Sequence, residues 1–236
     1  MKIKISFLLI FVLYALTVNA QNSSNTKLPK AIIVPAVLIG TGLILNGSDI
    51  EHRLRTNIRE RIGNDYKCKI DDYTQFAPLV ELYAFDISGV KTKNHWFDQT
   101  KYLIISNALT IAIIQGMKHI ILKTRPDGSA YSFPSGHTSF AFTNATVLYN
   151  EFKNSSPFIA YSGYFFASTT GTFRILNDKH WLSDVLTGAG IGIIIANLVY
   201  YFEPLKSFNP FLASKNISFI PQINNNNIGI YFNYSF

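Results

Sequence analysis

Residues 117–140 read MKHIILKTRPDGSAYSFPSGHTSF, an apolar stretch that ends in cations, turns, and then presents a glycine and a histidine. Lys118 and Arg125 stand seven positions apart, about two helical turns, so both can lie on one face near the end of a helix over 101–122. Pro126 disfavours the α conformation at Arg125 and stops that helix. A guanidinium offers a planar fork for phosphate oxygens and an ammonium a point charge. On its own the pair equally describes basic residues flanking a membrane helix.

Two further pieces follow. Pro134-Ser135-Gly136-His137 precedes an apolar run from Phe140. Proline is favoured in a helix's first turn, where unpaired N–H groups and the helix dipole attract an anion. Gly136 lets the backbone approach a ligand, Ser135 can donate a hydroxyl, and His137 falls one turn into the helix. In FRILNDKHWLSDV, His180 and Asp184 are four apart and share a helix face, with Arg174 six residues earlier. The carboxylate can take one imidazole N–H, fix the tautomer and leave the other nitrogen free to attack. A His and an Asp at this spacing are common by chance; the three pieces in order are not.

Lys-x6-Arg-Pro, Pro-Ser-Gly-His and Arg-x5-His-x3-Asp closely resemble the motif of the type-2 phosphatidic acid phosphatase superfamily, shared by bacterial acid phosphatases and vanadium haloperoxidases. The resemblance covers Lys118 to Asp184, 67 of 236 residues. The neighbouring text (RPDGSAYSFPSGHTSFAF, LNDKHWLSDVLTGAGIG) is similar to signal-bearing envelope members. One position departs: the third motif usually opens Ser-Arg, and here it is Phe173-Arg174. The resemblance implies that His180 attacks phosphorus to form a phosphohistidine, with Asp184 orienting it. His137 then serves as general acid and later as general base. Lys118, Arg125 and Arg174, with Ser135 and the Gly136 amide, would hold the phosphoryl oxygens. No metal and no cofactor is expected, since three cations perform the neutralisation and the sequence holds no His, Cys or carboxylate set with metal-ligand spacing. His52, His95 and His119 match no motif position and read as surface or interfacial residues, His119 alone near the site.

These residues need a scaffold. A chain of 236 residues allows one domain. With 48% hydrophobic and 15% charged residues and a slightly positive mean hydropathy, it leans towards a membrane protein. A net charge of +7 without a basic amphipathic stripe points to anionic lipid or anionic substrate, not nucleic acid. The single cysteine, Cys68, excludes an intrachain disulfide and reads as a spare surface or half-buried thiol. Lys2 and Lys4 before an apolar run, with Val18-Asn19-Ala20 after it, read as a secretory signal over 1–20, or as a retained anchor. The expected fold is all-α, a membrane-associated bundle of about six helices over 21–204, with a tail over 205–236 bearing a short C-terminal β-hairpin. Its helices fall at 31–45, 73–90, 101–122, about 136–152, 157–174 and 180–202. Between the first two, 47–72 is charged and reads as a solvated or headgroup-facing helix. Gly188, Gly190 and Gly192 lack a preceding strand and read as close helix packing. In the tail, apolar alternation around Asn224–Asn227 signals the hairpin.

Sidedness is constrained. The motif loops 123–136 and 174–180 are separated by two membrane segments and so face one side, which in similar proteins is usually away from the cytoplasm. A cleaved signal would start the chain outside, so an even number of crossings must precede the first loop. Segments 31–45, 73–90 and 101–122 make three, and the expectation is that 31–45 lies in or along the membrane surface. A site among apolar helices suits a lipid phosphate substrate: lipid A, undecaprenyl pyrophosphate or phosphatidylglycerol phosphate. The expected place is the cell envelope, at the inner membrane with the site facing the periplasm. Rival readings are a secreted phosphatase of soluble esters, a haloperoxidase (usually a much longer chain), and a non-enzymatic membrane structural or transport protein.

Overall fold

Eight helices form among the described residues: α1 (Lys27–Leu45), α2 (Asp49–Ile62), α3 (Ile70–Thr74), α4 (Ala77–Ile87), α5 (Trp96–Ile121), α6 (Gly136–Phe152), α7 (Pro157–Leu176) and α8 (Leu182–Phe202). The computed structural model describes residues 27–209, Phe211, and the backbone of 217–224 and 227–234. The signal expected at 1–20 lies outside the described residues. The body is all-α, with eight helices rather than about six because the charged stretch 47–72 contributes α2 and α3.

Small residues set the packing around α8, which touches α1, α5, α6 and α7. A Cβ on Gly188 would stand 2.7 Å from the Ser135 carbonyl oxygen, and one on Gly190 2.7 Å from that of Pro35. The glycines therefore bring α6 and α1 against α8, as the sequence suggested. Between helices that also face lipid, such close contact supplies attraction that apolar burial alone does not. Helix α6 is deeply enclosed. Ala141, Ala145, Val147, Leu148 and Phe152 are fully buried, and two of its inward polar side chains find partners on α5. Thr143 Oγ1 meets Thr110 Oγ1 at 3.0 Å, and Asn107 Nδ2 donates to Asn144 Oδ1 at 2.7 Å.

The flanks are apolar and open: Ile104, Ile111 and Ile120 on α5, Phe158 and Phe165 on α7 are more than half exposed. Surface of this kind marks contact with a membrane. By length and apolarity, α5 and α8 can each cross one, and the bent pair α1–α2 can make a third span. The bend is 86° and falls at Gly47, whose φ of +74° suits glycine.

Helix α1 does not lie flat. Its Ala31 carbonyl accepts from Asn197 Nδ2 at 3.3 Å, Pro35 meets Gly190, and Gly42 packs at Thr187. It thus runs antiparallel along the length of α8 and shares its depth. This corrects the expectation that 31–45 follows the membrane surface; the period of an apolar run cannot tell a spanning partner from a surface one. Helices α3 and α4 also traverse the bundle. Asp71 sits beside Arg174 at one end, and beyond α4 the Lys93 N–H bonds the Glu151 carbonyl at the other.

Helix α2 is likewise not simply solvated. Ser48 caps it, accepting from the Glu51 N–H, yet Glu51 and Arg59 are buried. After the bundle, β1 (Ile217–Asn224) and β2 (Asn227–Tyr234) pair antiparallel, Ile217 opposite Tyr234 and Asn224 opposite Asn227.

Candidate active site

The connection from α7 to α8 places three groups. Arg174 is in the last turn of α7, Asp184 in the first turn of α8, and His180 between them, 2% exposed. The His180 N–H bonds the Arg174 carbonyl at 3.2 Å, and its Nδ1 lies 3.3 Å from Asp184 Oδ2. Asp184 is fully buried and well supplied with donors. Oδ2 accepts from Ser132 Oγ and, at 2.9 Å, from the Trp181 N–H; Oδ1 accepts from Lys123 Nζ at 3.0 Å. Its carbonyl accepts from the Ser135 N–H at 3.0 Å, which locks the second motif onto the third. Burial, helped by the charges of Lys118 and Arg174, pushes the His180 pKa down to about 4 against the opposing pull of Asp184. At neutral pH the imidazole is uncharged, gives Nδ1–H to Asp184 and keeps the lone pair on Nε2.

The cations gather around that ring. Lys118 closes α5, its Nζ 2.5 Å from the Tyr131 carbonyl. Arg174 is held through a terminal nitrogen, 2.7 Å from Asp71 Oδ2, and Asn177 Nδ2 bonds the other oxygen of Asp71 at 2.9 Å. Arg125 follows the end of α5, and burial and the charge of Arg174 both lower its pKa. The Nε atoms of Arg125 and Arg174 are buried without an acceptor among the described residues. Buried donors of that kind are rare, and an anion between the two guanidiniums would satisfy both.

At the start of α6 the residues divide their tasks. Ser135 Oγ is buried and committed as the helix cap, accepting from the Thr138 N–H and meeting Thr138 Oγ1 at 2.9 Å. A Cβ added at Gly136 would meet nothing within 4 Å, so this backbone fronts open space. The first-turn N–H groups of Gly136 and His137 have no place in the intrahelical ladder. His137 feels the charges of Arg174 and Arg125, and its Nε2 lies 3.7 Å from Asp72 Oδ1.

Asp71, Ser132, Lys123 and Glu51 were not singled out by the sequence. Of the histidines outside the motif, His95 caps α5 and His119 stacks near Tyr131, their rings 5.1 Å apart. His52 also approaches the site: it packs edge-on against Trp181 at 4.8 Å, a correction to the reading that only His119 comes near. Cys68 is free and half-buried, its backbone clasped by the Asn177 amide. Among the described residues no group of three or more His, Cys, Asp or Glu could hold a metal ion.

An apolar helical bundle with three cations and two histidines gathered at one end is an arrangement that can receive an oxyanion beside a membrane. Residues 99–207 match the PAP2 superfamily model. The chain is similar to lipid A 1-phosphatase of Porphyromonas gingivalis, 38% identical over 162 residues. That match covers 65% of this chain and 36% of the relative, so the chain spans about a third of the relative's length. Among solved structures it resembles the transmembrane PAP2 type phosphatidylglycerolphosphate phosphatase from Bacillus subtilis. The TM-score is 0.50 and the identity 17%, over 75% of this chain and 98% of that one. Aquifex aeolicus LpxE matches at TM-score 0.46 and 24% identity, over 62% of this chain and 93% of that one.

Proposed function

We propose that this chain is a phosphatase of membrane lipids that removes a phosphomonoester, of the lipid A type, through a phosphohistidine. One observation carries the reading: the acceptorless Nε donors of Arg125 and Arg174 occur in the same cluster of charges as a neutral, oriented His180. His180 Nε2 forms the bond to phosphorus as the phosphorus–oxygen bond to the lipid breaks. His137 gives a proton to the leaving oxygen, then takes one from the water that hydrolyses the phosphohistidine. Lys118, Arg125 and Arg174, with the first-turn amides of α6, stabilise the charge on the phosphoryl oxygens, which makes a metal unnecessary to the scheme. Ser135 acts through its backbone and cap, and Phe173 contributes no hydroxyl. Among lipids, the name of the similar P. gingivalis protein favours lipid A over undecaprenyl pyrophosphate or phosphatidylglycerol phosphate. Residues 21–204 form the phosphatase domain, and 205–236 an appended hairpin tail.

The exposed apolar flanks favour the membrane reading over a secreted phosphatase of soluble esters. We place the protein in the inner membrane with the site facing the periplasm. Because α1 runs from the far face towards the site, that orientation puts Lys27 on the cytoplasmic side. The test is phosphate release from purified chain across lipid A, undecaprenyl pyrophosphate, phosphatidylglycerol phosphate and p-nitrophenyl phosphate. Release fastest from lipid A, insensitive to chelator and blocked by vanadate, is expected; preference for the soluble ester would end the lipid reading.

Asp71→Asn is expected to lower kcat/KM with the protein still folded. It removes the charged partner of Arg174, a bond of about 1.5–3 kcal/mol. If that is lost in the transition state, the rate falls roughly 10- to 100-fold. Steady-state kinetics on lipid A would check it; unchanged kcat/KM would show that Arg174 needs no anchor.

A further inference from the structure

We propose that Lys123 and Glu51 are positioning residues for the nucleophile, forming with Asp184 and His180 one buried chain of four interacting groups. This rests on the reading of His180 as the attacking group. Lys123 lies outside the motif, between its lysine and its arginine, and Glu51 comes from the α2 helix. Lys123 Nζ bonds Asp184 Oδ1 at 3.0 Å, Ser183 Oγ at 2.8 Å and Glu51 Oε2 at 3.3 Å. Its ammonium also stands over the rings of Trp181 and Phe133, at 5.4 Å and 5.7 Å. Such enclosure fixes a flexible side chain in one place.

Glu51 is 2% exposed and fully occupied. Oε1 accepts from the Ser183 N–H in the first turn of α8 at 2.9 Å, and Oε2 from the Gly47 N–H at the α1–α2 bend, also at 2.9 Å. A carboxylate at a helix N-terminus is favourable in itself. Here it also fixes the distance between Lys123 and the turn that carries Asp184.

The charges around this chain define its function. His180 faces Asp184 from α8, Lys118 from α5 and Arg174 from α7. Asp184 also feels Arg125. Two buried carboxylates, Asp184 and Glu51, share one ammonium. With Lys123 present, Asp184 has its charge compensated and can orient the imidazole without drawing a second proton onto it. Remove Lys123, and the carboxylates attract that proton: His180 becomes imidazolium, Nε2 is blocked, and the nucleophile is lost at a pH where the intact chain works. Remove Glu51 instead, and Asp184 has the ammonium to itself, so the effect reverses.

The test follows the imidazole of His180 by NMR in full-length chain in detergent, assigned with His180→Asn, alongside kcat/KM on lipid A from pH 3.5 to 8. In Lys123→Met both midpoints should rise by about one unit or more, the size of effect expected from losing a close opposite charge. Lys123→Arg should restore them, and Glu51→Gln should lower them. A purely structural role would reduce activity evenly across pH and move no midpoint. Superimposable titrations in Lys123→Met and the intact chain would overturn the proposal. If Lys123→Met does not fold, Glu51→Gln decides alone, and a midpoint that stays or rises refutes it. Shifted NMR midpoints in a chain that releases no phosphate from lipid A would keep the relay and end the phosphatase reading.

Discussion

Asparagine in place of His180 is expected to cost at least about 10⁴-fold in kcat/KM on lipid A, the scale seen when a covalent nucleophile is removed. The reason lies in what the surrounding chain does to this one ring. It is almost wholly enclosed, its Nδ1 faces a carboxylate held by several donors, and its charged form is opposed by burial and by two cations. Asparagine keeps a polar group near Asp184 but offers no nitrogen able to accept a phosphoryl group. Two measurements accompany the rate: radioactive phosphate from labelled lipid A should remain on the intact chain after rapid quench and be absent from the variant. The pH profile has a definite sign. Because the folded pKa is lowered to about 4, the neutral imidazole persists below the range of a free histidine, and kcat/KM should fall only as pH drops through about 4. An acid limb near the free-histidine value, about 6.5, would mean that the nucleophile is not this ring.

Part of this site could be read without coordinates because its pieces are local. The i, i+4 spacing of His180 and Asp184 survives as a contact at 3.3 Å. But α5 ends at Ile121 with Leu122 in the left-handed region, so Arg125 lies beyond the helix and Pro126 is not what stops it. Gly188 and Gly190 read correctly as packing residues because no strand precedes them. The supports were invisible for the opposite reason. Asp71 reaches Arg174 across 103 residues, and Glu51 reaches Ser183 across 132. Nothing in the alternating charges of 49–62 shows that the face holding Glu51 and Arg59 turns inward, since mixed charge is also what a solvated helix carries. Sequence spacing revealed the groups that could act on a ligand and concealed those that hold them still.

The same asymmetry governs Arg55 and Arg59. Arg55 meets Asp178 through Nε and Nη2, at 2.8 Å and 2.7 Å, and Arg59 donates to the Leu176 carbonyl. Both therefore pin α2 to the turn that precedes His180. In the sequence they were indistinguishable from Arg53 and Arg61, which remain exposed. What looked like one basic helix divides into an outer face and an inner one that braces the site.

A His137→Asn chain is expected to lose about 10²–10⁴-fold in turnover of lipid A, the usual worth of a positioned acid and base. The loss should divide unevenly between the two steps. His137 keeps 35% of its side chain exposed, unlike His180, and its Nε2 stands near Asp72 at the solvent side. It can therefore exchange protons with water, as a group that first donates and then accepts must. With p-nitrophenyl phosphate the leaving oxygen is a weak base and needs little help, so phosphorylation of His180 should slow only modestly. Hydrolysis of the phosphohistidine still requires a base for the incoming water. The variant should then release a burst of p-nitrophenol and hold more labelled phosphate on His180 at steady state than the intact chain, which traps it only transiently. A variant that shows no burst and no adduct, with phosphorylation itself abolished on the good leaving group, would place His137 in binding and leave the proton transfers to another residue.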